Sequence, residues 1–131
     1  MQTTTVKHIL DHYEAILIDA YGVLVDSSGA LPGATAFVEA LAQRRANYYI
    51  LTNDASRLPE NIARRFAGLG LPIDAARIIT SGGLLTAYFA AHNLKGKRCI
   101  VLGNADAVAY AEQAGGQVVP ASADSDAEVL V

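Results

Sequence analysis

Tryptophan is absent from the chain, and cysteine and methionine occur once each. A single cysteine, Cys99, excludes an intrachain disulfide and any zinc site built from thiolates. Basic charge is not in excess: Lys+Arg number 10 against 13 Asp+Glu, a formal net charge of −3 with a pI near 5.5. Such a balance argues against non-specific partners that need a basic face, nucleic acid and anionic membrane among them. No apolar run approaches the roughly 20 residues that span a bilayer. The first residues, Met1 to His8, lack the basic-then-apolar pattern of a signal peptide, so a cytoplasmic location is expected. Gly103-Asn104-Ala105-Asp106 lacks the Gly-x-Gly-x-x-Gly spacing of a dinucleotide site. Internal repeats and low-complexity tracts are also missing.

What is present is core-forming material. The 131 residues are 52% hydrophobic and 18% charged, with a mean hydropathy of +0.26, which is incompatible with a disordered chain. A chain of this length hides about two-thirds of its unfolded surface, enough for one domain, or one domain plus a piece of another.

Apolar spacing at Val6, Ile9, Leu10 and Tyr13 predicts a short amphipathic helix. Ala15-Ile16-Leu17-Ile18 reads as a buried strand ending at Asp19, and the stretch through Gly22, Gly29, Pro32 and Gly33 as loop. Ala34, Phe37, Val38, Leu41 and Ala42 recur at helical spacing. A second strand, Tyr48-Tyr49-Ile50-Leu51, stops at Thr52-Asn53-Asp54, and a helix follows from Pro59, with Ile62, Phe66 and Leu69 on one face. Further on, Arg77–Thr80 predicts a strand, Leu84–His92 a helix, Arg98–Leu102 a strand and Ala105–Ala114 a helix. Gln117–Val119 and Glu128–Val131 predict two more strands. Alternation of apolar strands with helices implies an α/β, Rossmann-like parallel sheet with helices on both faces. The last strand has no helix after it, so the chain reads as cut short. An uncovered edge strand there favours pairing with another chain, a possible homo-oligomer.

In open parallel sheets ligands bind at the carboxyl ends of strands. Polar groups stand at three such ends: Asp19, then Thr52-Asn53-Asp54, then Thr80-Ser81-Gly82-Gly83. A carboxylate at the rim of a dry sheet is costly unless hydrogen-bonded or bound to a cation. Thr52 and Asn53 offer a hydroxyl and amide donors to an anion, and Gly22, Gly82 and Gly83 allow backbone N–H groups to approach one.

Four blocks carry a family resemblance. Asp19-Ala20-Tyr21-Gly22-Val23-Leu24-Val25-Asp26 resembles the first motif of the haloacid dehalogenase (HAD) superfamily. Leu31-Pro32-Gly33-Ala34, Leu51-Thr52-Asn53-Asp54-Ala55-Ser56-Arg57 and Ile79-Thr80-Ser81-Gly82 resemble its class IIA, related to nitrophenyl-phosphate and nucleotide phosphatases. The resemblance implies a HAD-like core over residues 1–80 and the start of an inserted α/β cap domain over 81–131. It implies Mg²⁺-dependent hydrolysis of a small phosphorylated metabolite, with Asp19 as nucleophile forming an aspartyl-phosphate. The Asp19 carboxylate and the Tyr21 main-chain carbonyl match two ligands of the family's Mg²⁺. Thr52 matches the hydroxyl that holds a phosphate oxygen, with the Asn53 and Asp54 backbone close by.

The sequence departs from that pattern twice. Tyr21 occupies the position of the family's acid/base Asp, and a phenol with a pKa of about 10 is a poor proton shuttle at neutral pH. Asp-Ala-Tyr-Gly resembles instead the first motif of the metal-independent 2-haloacid dehalogenases, an alternative in which Asp19 attacks carbon. The third-motif Lys and fourth-motif acidic pair are expected beyond Val131; Lys95 and Lys97 are not assigned the first role, nor Asp124, Asp126 and Glu128 the second. The 131-residue piece is accordingly expected to be inactive alone. A third alternative is a non-catalytic binding or oligomerisation module. Asp26 reads as a solvated loop carboxylate, His8 and His12 as a helix pair without a third ligand, and Cys99 as a small buried apolar residue.

Overall fold

The computed structural model describes residues 4–122 and 125–131. The chain divides into two compact units, the first reaching Thr52 and resuming at Pro59–Ile79, the second comprising Asn53–Leu58 and Thr80–Val131.

The first unit opens with helix α1 (Val6–His12), whose N-cap Thr5 accepts a hydrogen bond from His8 N–H. Strand β1 (Ile16–Asp19) follows, then β2 (Val25–Asp26) and β3 (Gly29–Ala30), helix α2 (Ala34–Gln43), strand β4 (Tyr48–Thr52), helix α3 (Pro59–Gly68) and strand β5 (Ile78–Thr80), whose last residue, Thr80, is counted with the second unit. The main sheet has the order β1-β4-β5. Strands β1 and β4 run parallel in the register Ile16↔Tyr48 to Asp19↔Leu51. The region from Gly22 to Gly33, expected as loop, contains a small antiparallel ladder in which Val25 pairs with Ala30 and Asp26 with Gly29.

Alternation along the strands decides which face is covered. Ile18, Ile50 and Ile78 are buried in one cluster with Val38 and Leu41 of α2 and Ile62 and Phe66 of α3. Val38 and Leu41 lie three apart and Ile62 and Phe66 four apart, so each pair forms one helix stripe. Each such side chain contributes roughly 1.5–3 kcal/mol when fully buried. The register partners Leu17 and Tyr49, and Asp19 and Leu51, lie on the other face. There Leu17 is 62% exposed and Ile79 43% exposed. The β1 strand is therefore buried on one face only, not on both as its apolar run suggests.

The second unit contains helix α4 (Leu85–Ala91), strand β6 (Arg98–Ile100), helix α5 (Ala105–Gln113) and strands β7 (Gln117–Val118) and β8 (Val129–Leu130). Its sheet has the order β7-β6-β8, and β6 pairs parallel with both neighbours. Phe89, Cys99 and Ala114 form its core, with Leu85, Leu94, Val129 and Val131 packed against them. Both sheets are thus built from parallel pairs with helices, the α/β class that the strand–helix alternation implies. Among the described residues no helix is long and apolar enough to cross a membrane.

Candidate functional site

Asp19 ends β1 and pairs in register with Leu51, so Thr52 is the next residue along the neighbouring parallel strand. Both groups therefore stand at the carboxyl end of the sheet, where backbone hydrogen bonding runs out and polar side chains replace it. Asp19 is exposed rather than plugged by apolar neighbours. Its Oδ1 accepts the backbone N–H of Ala20 at 2.8 Å.

The chain then turns sharply. Val25 N–H donates to the Ala20 carbonyl at 3.1 Å and Gly22 N–H to the Val25 carbonyl at 2.8 Å. Gly22 has φ +86, and nothing lies within 4 Å of where a Cβ would sit. The glycine is therefore required by backbone conformation, not by space. This corrects one expectation: the Gly22 N–H closes the turn and is not presented to a ligand. The Tyr21 side chain is 61% exposed, and its carbonyl takes no part in the two bonds that close the turn. Downstream, Asp26 Oδ1 accepts from Ser28 N–H at 2.7 Å and from Ser28 Oγ at 2.6 Å. Those bonds, the hydroxyl's first, hold the Asp26 carboxyl below its usual range. Asp26 is a turn-forming carboxylate.

Asn53 and Asp54 follow Thr52 in the chain and belong to the second unit, in the segment Asn53–Leu58. Asp54 shapes that segment: Oδ1 accepts from Ser56 N–H at 2.8 Å and Ser56 Oγ at 2.7 Å, and Oδ2 from Arg57 Nη1 at 2.7 Å. Partial burial works to raise its pKa, but the Ser56 and Arg57 hydrogen bonds outweigh it, and the carboxyl lies below its usual range. The segment's backbone is held by side chains elsewhere in the same unit. Ser81 Oγ donates to the Asn53 carbonyl at 2.9 Å, Asn104 Nδ2 to that of Ser56 at 2.7 Å, and Tyr110 Oη to that of Arg57 at 2.7 Å. Asp106 Oδ2 accepts from Leu58 N–H at 2.9 Å.

Sequence reasoning missed this fastening. Asn104 had a legible signal, an Asn directly before a helix, and its Oδ1 does cap α5 through Ala107 N–H at 3.0 Å. Tyr110 gave none, because a tyrosine among alanines reads as a core aromatic. An open cleft of about 480 Å³ lies against the segment, lined by Asn53, Asp54 and Ser56 and by Leu102, Gly103 and Asn104. A larger trough of about 940 Å³ runs between α1 and β1, but among the described residues no carboxylate lines it.

Other groups singled out in the sequence are engaged structurally. The His8 and His12 rings stack 3.9 Å apart, and His12 Nδ1 lies 2.9 Å from the His8 carbonyl, to which it donates. Lys97 pairs with Glu128 at 2.6 Å, which holds the Glu128 carboxyl below its usual range. Arg98 pairs with Asp126, whereas Asp124 and Met1–Thr3 lie outside the described residues. Cys99 is fully buried, and burial raises its thiol pKa.

Among the described residues no three His, Cys, Asp or Glu side chains cluster as a metal cage. A hard cation such as Mg²⁺ does not need one: it typically keeps several waters and takes one or two carboxylates plus substrate phosphate. An exposed carboxylate at Asp19 and a turn carbonyl at Tyr21 are oxygen donors of that kind, so the residues present fit part of such a coordination sphere.

A family model described as haloacid dehalogenase-like hydrolase matches residues 16–117. The acid sugar phosphatase of Staphylococcus saprophyticus is 29% identical over 94 residues, covering 72% of this chain and 36% of that protein. The ribonucleotide monophosphatase NagD of Escherichia coli is 31% identical over 88 residues, covering 67% and 34% respectively. The crystal structure of a possible sugar phosphatase of the HAD superfamily from Cytophaga hutchinsonii superposes with a TM-score of 0.75 at 36% identity, covering 96% of this chain and 44% of that one. The chain spans about a third of the length of the curated relatives it matches. With a family model matched over most of its length and its motif blocks at the strand ends of a parallel α/β sheet, the chain belongs to the haloacid dehalogenase-like hydrolases.

Proposed function

We propose that the chain carries the nucleophile half of a Mg²⁺-dependent phosphate-monoester hydrolase that acts on a small phosphorylated metabolite. The observation that carries the reading is the exposed carboxylate of Asp19 at the carboxyl end of β1, one register step from Thr52 on the adjacent strand. Relatives of this chain are named as phosphatases of sugars and ribonucleotides, which supports a phosphorylated substrate. The 480 Å³ cleft beside Asn53 and Asp54 falls within the size range of small-molecule sites.

In this reading an Asp19 carboxylate oxygen attacks phosphorus, and the bond from phosphorus to the substrate oxygen breaks. The alcohol leaves, and Asp19 carries an acyl phosphate. Water then attacks phosphorus, releasing inorganic phosphate and restoring the carboxylate. The Thr52 hydroxyl donates to a phosphoryl oxygen, and the backbone at Asn53 and Asp54 adds further donors, so that charge on the transferring group is stabilised as it forms. The Asp19 carboxylate and the Tyr21 carbonyl would hold Mg²⁺, which when bound neutralises phosphate charge that would otherwise repel the nucleophile. Tyr21 stands where the family resemblance puts a carboxylic acid, so protonation of the leaving oxygen falls to water, and turnover is slow.

The same reading makes residues 1–80 the first half of the core and 81–131 the start of an inserted cap domain, with catalysis requiring further cationic and acidic groups from the whole protein. It places the protein in the cytoplasm, where charged phosphate esters are retained. Hydrolysis of p-nitrophenyl phosphate by the whole protein, with and without Mg²⁺, tests it: metal-dependent release of nitrophenol is expected. Its absence leaves a binding or oligomerisation module.

A further inference from the structure

The hydrogen bonds around Tyr110 have only one consistent direction. The Tyr110 hydroxyl lies 2.7 Å from the Arg57 carbonyl, an atom that can only accept, so the phenolic hydrogen is spent there. The same oxygen is 2.6 Å from Thr80 Oγ1, so in that contact the threonine hydroxyl must be the donor. Thr80 Oγ1 in turn accepts from Gly83 N–H at 3.1 Å. The relay therefore runs from Gly83 N–H to the Thr80 hydroxyl, to the Tyr110 hydroxyl, to the Arg57 carbonyl. Thr80 and Tyr110 are both buried, where hydrogen bonds are stronger and unmade ones costlier. Gly82 is the residue that admits the ring: a Cβ there would lie 2.5 Å from it.

We infer that Tyr110 is a positioning residue that fixes the Asn53–Leu58 segment for phosphate binding. The inference rests on the proposed phosphatase reading, in which the backbone at Asn53 and Asp54 helps hold the phosphoryl group. Tyr110 does not act alone. Asn104 holds Ser56, Asp106 holds Leu58 and Ser81 holds Asn53, so backbone groups at both ends of the segment are fastened. The geometry of Tyr110 is in turn set by a second buried hydroxyl, that of Thr80.

Three variants test this by native hydrogen exchange at the amides of 53–58 and by calorimetric titration with inorganic phosphate in the presence of Mg²⁺. Tyr110→Phe keeps the ring and removes the relay. Thr80→Val removes the donor that orients it, and Thr80→Ser restores that donor. Tyr110→Phe and Thr80→Val are expected to raise exchange across the segment and to weaken phosphate binding about fivefold, the worth of one neutral hydrogen bond. Thr80→Ser should return both to the parent values. Unchanged exchange in Tyr110→Phe, or faster exchange with unchanged phosphate affinity, would overturn the positioning role. If the whole protein with the parent sequence binds no phosphate, it is the phosphatase reading that fails, and exchange alone then decides whether the relay holds the segment.

Discussion

Asp19 and Leu51 are register partners on adjacent parallel strands, and that pairing brings a carboxylate and the Thr52 hydroxyl to one end of one sheet. Because Asp19 is exposed and its carboxylate accepts from the neighbouring Ala20 amide, its charge contributes little to the core. Asp19→Asn should therefore leave the free energy of urea unfolding of the chain within about 0.5 kcal/mol of the parent, as for other surface changes. The same substitution should abolish p-nitrophenyl phosphate hydrolysis by the whole protein. A variant that is folded and still active would remove Asp19 from the nucleophile's role.

Tyr21 provides the second prediction. Its side chain is 61% exposed, so Tyr21→Asp costs little packing and, in the proposed mechanism, supplies the missing acid for the leaving group. General acid–base help is worth roughly 10²- to 10⁴-fold, so turnover should rise at least about tenfold. The metal-independent alternative, with Asp19 attacking carbon, makes the opposite prediction: halide release from a 2-haloacid that survives EDTA and falls in Tyr21→Asp.

Acid should loosen the Asn53–Leu58 segment. The Ser56 and Arg57 hydrogen bonds depress the Asp54 carboxyl against the opposing effect of burial, whereas the unfolded group titrates near about 3.9. A depressed folded value means the stabilisation is complete above the unfolded pKa and is lost as pH falls through the folded one. Ser56→Ala should accordingly cost about 1 kcal/mol in urea unfolding at pH 7. Its deficit should shrink progressively below about pH 4. A deficit that stays constant to pH 2 would show that the Asp54 contacts are not its cause.

Cys99 gives a probe of the second unit's core. The thiol is buried, burial raises its pKa, and Sγ donates to the Lys97 carbonyl at 3.3 Å. Reaction with a thiol-specific disulfide reagent at pH 8 should be slow in the native chain and fast in urea, because the thiolate is the reactive form. Rapid native labelling would mean that the packing of Phe89, Cys99 and Ala114 opens readily.

Local periodicity made most elements readable. The helical stripes at Val38–Leu41 and Ile62–Phe66, and the strands ending at Asp19, Thr52 and Thr80, stand where their apolar spacing puts them. Two features were hidden because they depend on contacts distant in sequence. Leu17 and Ile79 look as apolar as Ile18 and Ile78, and only the placement of α2 and α3 decides which face of the sheet they cover. Likewise the backbone of 53–58 is anchored by Asn104, Asp106 and Tyr110, 48 to 53 residues away, and no spacing rule joins those positions. At the candidate site, the strand-end carboxylate and hydroxyl were legible because polar residues directly after apolar strands are conspicuous. The Gly22 N–H was misjudged because a glycine signals a turn without revealing which partner its amide takes.

The most direct measurement is covalent trapping. The whole protein is mixed with p-nitrophenyl phosphate and Mg²⁺, quenched in acid within the turnover time, digested, and the peptides weighed. The peptide containing Asp19 should carry the mass of one phosphoryl group, and the Asp19→Asn protein should carry none. Turnover with no phosphoryl group ever found on that peptide, and undiminished in Asp19→Asn, would contradict the nucleophile assignment.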